Sequence, residues 1–214
     1  MVPGEFIKPI LTAIIVGVVF YSIILHEVSH ALVSHWLGDD TAKRYGRLSL
    51  NPLVHIDWFG TVILPLLLYL TAGFIYGYAR PVPLNPYNFS NYKRDVGLSA
   101  LAGPVCNILI AFGFAAIYHV FSPNIVIQYI CTYVVFLNLL LAFFNFLPFP
   151  PLDGSKVLGI FLPDDLYYKW TMQERNGMII LFGVIIVSNL MGWNLIGRVI
   201  LPPVQYCMGM LGLF

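Results

Sequence analysis

Charge is what this sequence has least of. Its 214 residues include 11 Lys and Arg and 10 Asp and Glu, so 10% are charged against 59% hydrophobic, and the mean hydropathy is +0.82. An ordinary soluble domain carries about a quarter charged residues. That class is excluded, and the composition places the chain in a lipid bilayer. A formal net charge of +1 gives no reason to propose nucleic acid as a partner, and none is expected. Cysteine is scarce as well. Cys106, Cys131 and Cys207 lie in apolar surroundings with no metal-binding spacing, and read as small core residues rather than disulfides. Internal repeats, low-complexity tracts and interdomain linkers are also lacking, so residues 1–214 are expected to form one integral-membrane domain.

Against this background one polar cluster stands out. From Ile10 to Leu37 the sole carboxylate or cationic chain is Glu27, inside His-Glu-Val-Ser-His at 26–30. On a helix of 3.6 residues per turn, His26 and His30 stand one above the other on one face. That spacing lets two imidazoles grip one zinc ion, with Glu27 beside them to handle protons. The alternative is a set of buried helix polar residues without a metal. An unpaired carboxylate in a membrane-buried helix is costly, which favours the functional reading.

The pattern predicts an all-α polytopic membrane protein with about four to six membrane helices. The first covers roughly 9–37. Lys8 ahead of an apolar run could open a signal peptide, but no small-residue cleavage site follows and the run continues into the His-Glu cluster, so a retained helix is expected. Val96–Phe121 and Asn124–Leu147 are uncharged and predict two more helices, and Gly177 to about Ile196 a last one. Pro202-Pro203 is expected to break the final apolar run, leaving it packed on the bundle or at the interface. Residues 56–95 carry a further apolar stretch interrupted by Gly60, Pro65 and Gly73. If 56–78 spans, basic residues divide between the two faces. If 56–95 dips in and returns, Lys43, Arg44, Arg47, Arg80, Lys93, Arg94, Lys156, Lys169 and Arg175 share one face, and Lys8 and Arg198 lie opposite. The second arrangement sorts the charges better by the positive-inside tendency, so a re-entrant or β-hairpin segment is expected near 56–95. Phe74, Tyr76 and Tyr78 alternate with a period of two, and Gly73 to Leu84 is expected to form a strand or hairpin. An aromatic belt at the interface explains the same three residues.

A catalytic zinc takes three protein ligands and keeps one open position. Asp57, Asp95, Asp164 and Asp165 sit in polar flanks, and His35 lies off the face of His30. His119 has no acidic or histidine neighbour. Asp153 follows the run from Asn124 to Leu152, which holds no Asp, Glu, Lys, Arg or His. An Asp-Gly turn would explain Asp153 equally well on its own. With an incomplete metal site upstream, Asp153 is the preferred third ligand.

His-Glu-Val-Ser-His at 26–30, Ala-Gly-Pro-x-x-Asn at 102–107 and Asn-x-x-Pro-x-Pro-Pro-Leu-Asp-Gly at 145–154 together resemble the site-2 protease family of intramembrane zinc metalloproteases. The motifs stand in that family's order. Asn51-Pro52 through Thr61 and Pro81–Pro86 look like its small bacterial and archaeal members, and accessory domains of larger members are not expected. The resemblance implies one Zn2+ per chain held by His26, His30 and Asp153, with Glu27 as the catalytic carboxylate and Asn145 assisting at the reacting carbonyl. It implies a catalytic core over about 9–160, C-terminal helices over about 177–214, and a transmembrane protein substrate cut within the cell membrane. Two other readings compete: an inactive membrane scaffold, and a membrane metal-binding protein, which would want more intramembrane carboxylates than Glu27 and Asp153.

Overall fold

The computed structural model describes residues 7–72 and 80–213, and among them the regular structure is entirely helical. The helices are α1 (Lys8–Trp36), α2 (Thr41–Arg44), α3 (Leu64–Ala72), α4 (Tyr92–Val120), α5 (Ile125–Asn145), α6 (Asp153–Gly159), α7 (Asp164–Thr171), α8 (Glu174–Leu190) and α9 (Leu195–Met210). Three of these, α1, α4 and α5, are long and apolar enough to cross a membrane. At about 1.5 Å per residue each reaches or exceeds a hydrocarbon core of about 30 Å. Large apolar side chains such as Ile10, Val16, Leu109 and Ile179 stay exposed, as a surface solvated by lipid requires.

Local chemistry sets the helix ends. Pro9 opens α1, where its missing N–H costs nothing. The helix stops because Gly38 takes φ +107°, which lets the Asp39 N–H bond back to the Ser34 carbonyl at 2.9 Å. Asn91 caps α4 by accepting from the Arg94 N–H, while Asp95 in the first turn accepts the Asn91 N–H at 2.9 Å. This reciprocal cap starts α4 four residues ahead of the expected Val96. Asn124 caps α5 through the Val126 and Ile127 N–H groups.

The helix α4 is the centre of the bundle, packing on α1, α5 and α6. Contacts of His26 with Asn107 and of His30 and Ser34 with Ser99 run it antiparallel to α1. The end of α1, the start of α4 and, across the short Phe121–Asn124 connection, the end of α5 therefore share one end of the bundle. Ala111 and Ala115 of α4, Val135 and Leu139 of α5, and Ile200, Val204 and Met208 of α9 form an apolar core.

Two expectations need correction at the C-terminal side. The helix expected over 177–196 ends at Leu190, and Asn194, in the left-handed region at φ 46°, turns the chain into α9. Pro202 and Pro203 do not break the last run. Both sit inside α9, where burial of Ile200, Val204 and Met208 against the bundle holds the helix despite two lost N–H donors.

Between α1 and α4 the chain makes a closed excursion. It leaves at His55, whose carbonyl accepts the Arg80 N–H at 2.8 Å, so the two ends of 56–79 meet. The outgoing arm is a π-helical turn, Trp58–Ile63, capped by the Asp57 side chain on the Gly60 N–H, followed by α3. Phe74, Tyr76 and Tyr78, where a strand was expected, lie outside the described residues. Residues 80–84 form no strand, since Pro81 and Pro83 remove two of the donors a ladder needs.

The returning arm is clamped by Asp39, fully buried just past α1. Its carboxylate accepts the Thr41 N–H at 3.0 Å and hydroxyl, the Asn85 N–H at 2.7 Å and the Asn88 amide at 2.7 Å. Burial pushes this carboxyl up, and the bonds from Thr41, Asn88 and Asn85 outweigh it, so Asp39 sits below the usual carboxylate range. Its folded value lies under the unfolded one. The clamp's contribution is therefore fully present above about pH 4 and is lost as acid titrates through the lower folded value. Asp39→Ala is expected to cost about 1–3 kcal/mol at neutral pH by stranding the Asn85 and Asn88 donors. Hydrogen exchange should show residues 80–88 losing protection in the variant, with the difference from wild type shrinking in acid.

Candidate metal centre

The i, i+4 spacing on α1 brings the two imidazoles to 4.6 Å between centroids, with their planes perpendicular. The Phe146–Leu152 turn after α5 delivers Asp153 to the first turn of α6, facing them. Its Oδ2 lies 3.2 Å from His26 Nε2 and 3.4 Å from His30 Nε2. One ligand atom from each of His26, His30 and Asp153 falls within 4.8 Å of the others, and all three residues are at most 9% exposed. Tetrahedral zinc with bonds of about 2.0–2.1 Å would separate neighbouring ligand atoms by about 3.4 Å.

The opposite ring nitrogens test whether a cation belongs there. His30 Nδ1 meets the Ser99 carbonyl at 2.7 Å, and a carbonyl can only accept. The neutral ring therefore carries its proton on Nδ1 and turns the Nε2 lone pair toward Asp153. His26 Nδ1 lies 2.6 Å from Asn107 Oδ1, giving the same arrangement. Two lone pairs and a carboxylate oxygen then converge on one buried point, which is the electrostatic demand of a bound metal. The donor set of two imidazoles and one carboxylate suits zinc and leaves a fourth position open.

Two glycines make room. A Cβ on Gly103 of α4 would fall 2.5 Å from His30 Nε2 and 2.6 Å from His26 Nε2, in the space between the rings and α4. A Cβ on Gly154 would fall 2.2 Å from the Phe146 carbonyl oxygen, so glycine there lets the turn fold back and aim Asp153.

Half-buried Glu27 stands next to His26, and its Oε2 accepts the Val82 N–H at 3.2 Å from the returning arm of the excursion. Asn145, the last residue of α5, is half-buried and donates its amide to Leu141 O at 3.0 Å, its one hydrogen bond among the described residues. The structure thus gathers His26, His30 and Asp153, with Glu27 adjacent. It shows no bond from Asn145 to the three.

The set-aside candidates have other partners. His35 pairs with Asp40 at 2.6 Å, Asp57 and Asp95 cap helices, and Asp164 lies 3.1 Å from Lys93. His119 meets Leu211 O at 2.7 Å, and Asp165 is exposed. Sequence reasoning missed Ser99, Val82 and Asn138. Two of them act through backbone groups, which side-chain identity does not reveal. Asn138, uncharged in an apolar run, signalled only that something polar lay opposite.

An apolar helical bundle with a buried His-His-Asp cluster and an adjacent glutamate has the donor set of a metallohydrolase site. Three relatives carry the name putative zinc metalloprotease. The chain is 38% identical over 179 residues to YwhC of Bacillus subtilis (strain 168), covering 79% of this chain and 78% of that protein. It is 34% identical over 137 residues to MJ0611 of Methanocaldococcus jannaschii, 63% of each, and 26% identical over 196 residues to Rip2 of Mycobacterium tuberculosis (strain ATCC 25618 / H37Rv), 89% and 74%. No protein-family model and no solved structure matches it. The chain belongs to the zinc metalloprotease family of YwhC.

Elemental analysis of the purified chain is expected to find one zinc, lost on replacing His26, His30 or Asp153 by Ala. Full zinc in Asp153→Ala would remove Asp153 from the centre. Gly103→Ala, with every ligand retained, is expected to weaken zinc by about tenfold or more in chelator competition, by forcing the rings out of position.

Proposed function

We propose that the chain is a zinc-dependent intramembrane endopeptidase of the site-2 type, a multi-pass protein of the cell membrane that cleaves transmembrane segments of other proteins. The observation that carries this is the placement of Glu27 beside a three-ligand centre deep in an apolar helix. His26 lies ten residues and His30 six residues before the end of α1 at Trp36, about 15 and 9 Å along the axis. A peptide reaching them must come from within the bilayer or dip into it.

Zinc, when bound, supplies a Lewis acid that acidifies water and polarises a carbonyl. Glu27 takes the proton of the attacking water and returns it to the departing amine. The Val82 N–H on Oε2 leaves Oε1 for that proton. Asn145 has a second amide N–H beyond the one given to Leu141, and this donor would meet the charge developing on the carbonyl oxygen.

The excursion of residues 56–79 is, on this reading, re-entrant from the cytoplasmic side. The antiparallel pairing of α1 with α4 and the bond between His55 and Arg80 both support it. So does the gathering of Lys43, Arg44, Arg47, Arg80, Lys93 and Arg94 between the end of α1 and the first turn of α4. On this reading the segment would offer backbone hydrogen bonds to an unwound substrate.

Glu27→Gln is expected to keep zinc and helix content while lowering cleavage of a single-span substrate by about 10²–10⁴-fold. Undiminished turnover would exclude the mechanism and favour an inactive scaffold or metal-binding role. Cysteines placed singly at 45 and 91 should react from the same face of sealed vesicles. Labelling from opposite faces would make 56–78 a true span.

A further inference from the structure

Asn107, Asn138 and Ser22 are each at most 2% exposed, on three different helices in the apolar interior of the bundle. Uncharged polar groups at such depth are costly unless fully bonded, and these bond to one another. Asn107 Nδ2 lies 3.0 Å from Asn138 Oδ1. Asn138 Nδ2 lies 2.9 Å from the Val134 carbonyl and 3.2 Å from Ser22 Oγ. The Ser22 hydroxyl reaches the Val18 carbonyl at 3.0 Å.

The direction of every bond in this chain is fixed from its far end. The Val134 and Val18 carbonyls can only accept. Asn138 must therefore present its NH2 to Val134, and Ser22 must spend its proton on Val18 and accept from Asn138. Asn138 Oδ1 is then left to accept from Asn107 Nδ2, which turns Asn107 Oδ1 toward His26. A ring facing that oxygen at 2.6 Å must carry a proton on Nδ1, so its neutral form keeps the Nε2 lone pair that a metal needs. His30 needs no such device, because Ser99 O sits against its Nδ1 directly.

We propose that Asn138 and Asn107 form a positioning relay that sets the tautomer and ring orientation of His26 for metal binding. Backbone carbonyls of α1 and α5 act as its reference. The proposal rests on the metal-centre reading and not on the protease reading. Without Asn138 the Asn107 amide is free to turn over and offer Nδ2–H to His26. The ring would then place its proton on Nε2, the nitrogen the metal needs.

The test uses the full chain, labelled with ¹⁵N-histidine and freed of metal, with His26 assigned by difference from His26→Ala. Wild type is expected to show His26 protonated on Nδ1, and Asn138→Leu a mixture with the Nε2–H form. Zinc affinity by chelator competition should fall about 10–100-fold in Asn138→Leu. Adding Asn107→Asp to that variant supplies a carboxylate that accepts from Nδ1–H without any relay, and affinity should return toward wild type. A purely packing role for Asn138 predicts no such recovery. A folded Asn138→Leu chain with wild-type affinity would overturn the proposal. So would a wild-type His26 that carries no proton on Nδ1, a measurement that needs no relay variant to fold. A wild type that keeps Nδ1–H but binds no zinc would remove the metal centre, and the relay's purpose with it.

Discussion

Three atoms that repel one another are held together in the least polar part of the molecule. With both imidazoles protonated on Nδ1, His26 Nε2, His30 Nε2 and the Asp153 carboxylate all present lone pairs, and they lie within 4.8 Å. In that neutral state, and without a cation between them, the three groups do not favour their own assembly. The surrounding bundle must impose it, and much of the packing answers to that demand. The helix α4 lies across α1 with glycine at 103 because any side chain there would occupy the space between the rings. Its packing on α6 is equally close at Gly97, where a Cβ would fall 2.4 Å from Ile160 Cγ1. Between these contacts α6 can turn Asp153 toward α1.

The two histidines reach the same chemical state by different routes. His30 uses a backbone carbonyl that α4 exposes at Ser99, where the Ser99 hydroxyl also bonds Ser34 and the His30 carbonyl. His26 lies deeper and answers to side chains from α4 and α5. A carbonyl cannot be turned over, whereas an amide can. The deeper site therefore carries more polar groups than the one nearer the helix end, in an environment where each must be satisfied.

The grouping of His26, His30 and Asp153 was legible in the sequence because low dielectric leaves few reasons for ionisable groups to be there. Glu27 stood alone in a long apolar run, and Asp153 at the end of another, and the fold brings the Asp153 and His26–His30 segments together. Helix boundaries were legible where caps are written in side chains, as at Asn124, and less so at α4, where Asn91 and Asp95 extend the helix beyond its apolar part. Pro202-Pro203 misled because proline's local penalty was weighed without the packing of α9 on α4 and α5 that outweighs it. The roles of Ser99 and Val82 were not legible at all, since any residue supplies a carbonyl or, proline apart, an N–H. Asn138 was visible as a polar residue, but its partners depend on helix rotation, which one strand of sequence does not specify.

The returning arm of the excursion joins the architecture to the chemistry. Arg80 is bonded to His55, Asn85 to buried Asp39, and between them Val82 reaches Glu27. Two of the residues between the anchors, Pro81 and Pro83, have φ fixed by their rings, so the span is stiff and its one N–H toward Glu27 has little freedom to wander. Stiffness there would suit the two proton transfers proposed for Glu27, since both need the carboxylate held in place. Because both anchors hold backbone N–H groups, substitutions at Arg80 or Asn85 would leave the bonds intact unless they introduced proline. The position of Glu27 is thus tied to the path of the chain, and Asp39 is the side chain on which that path depends.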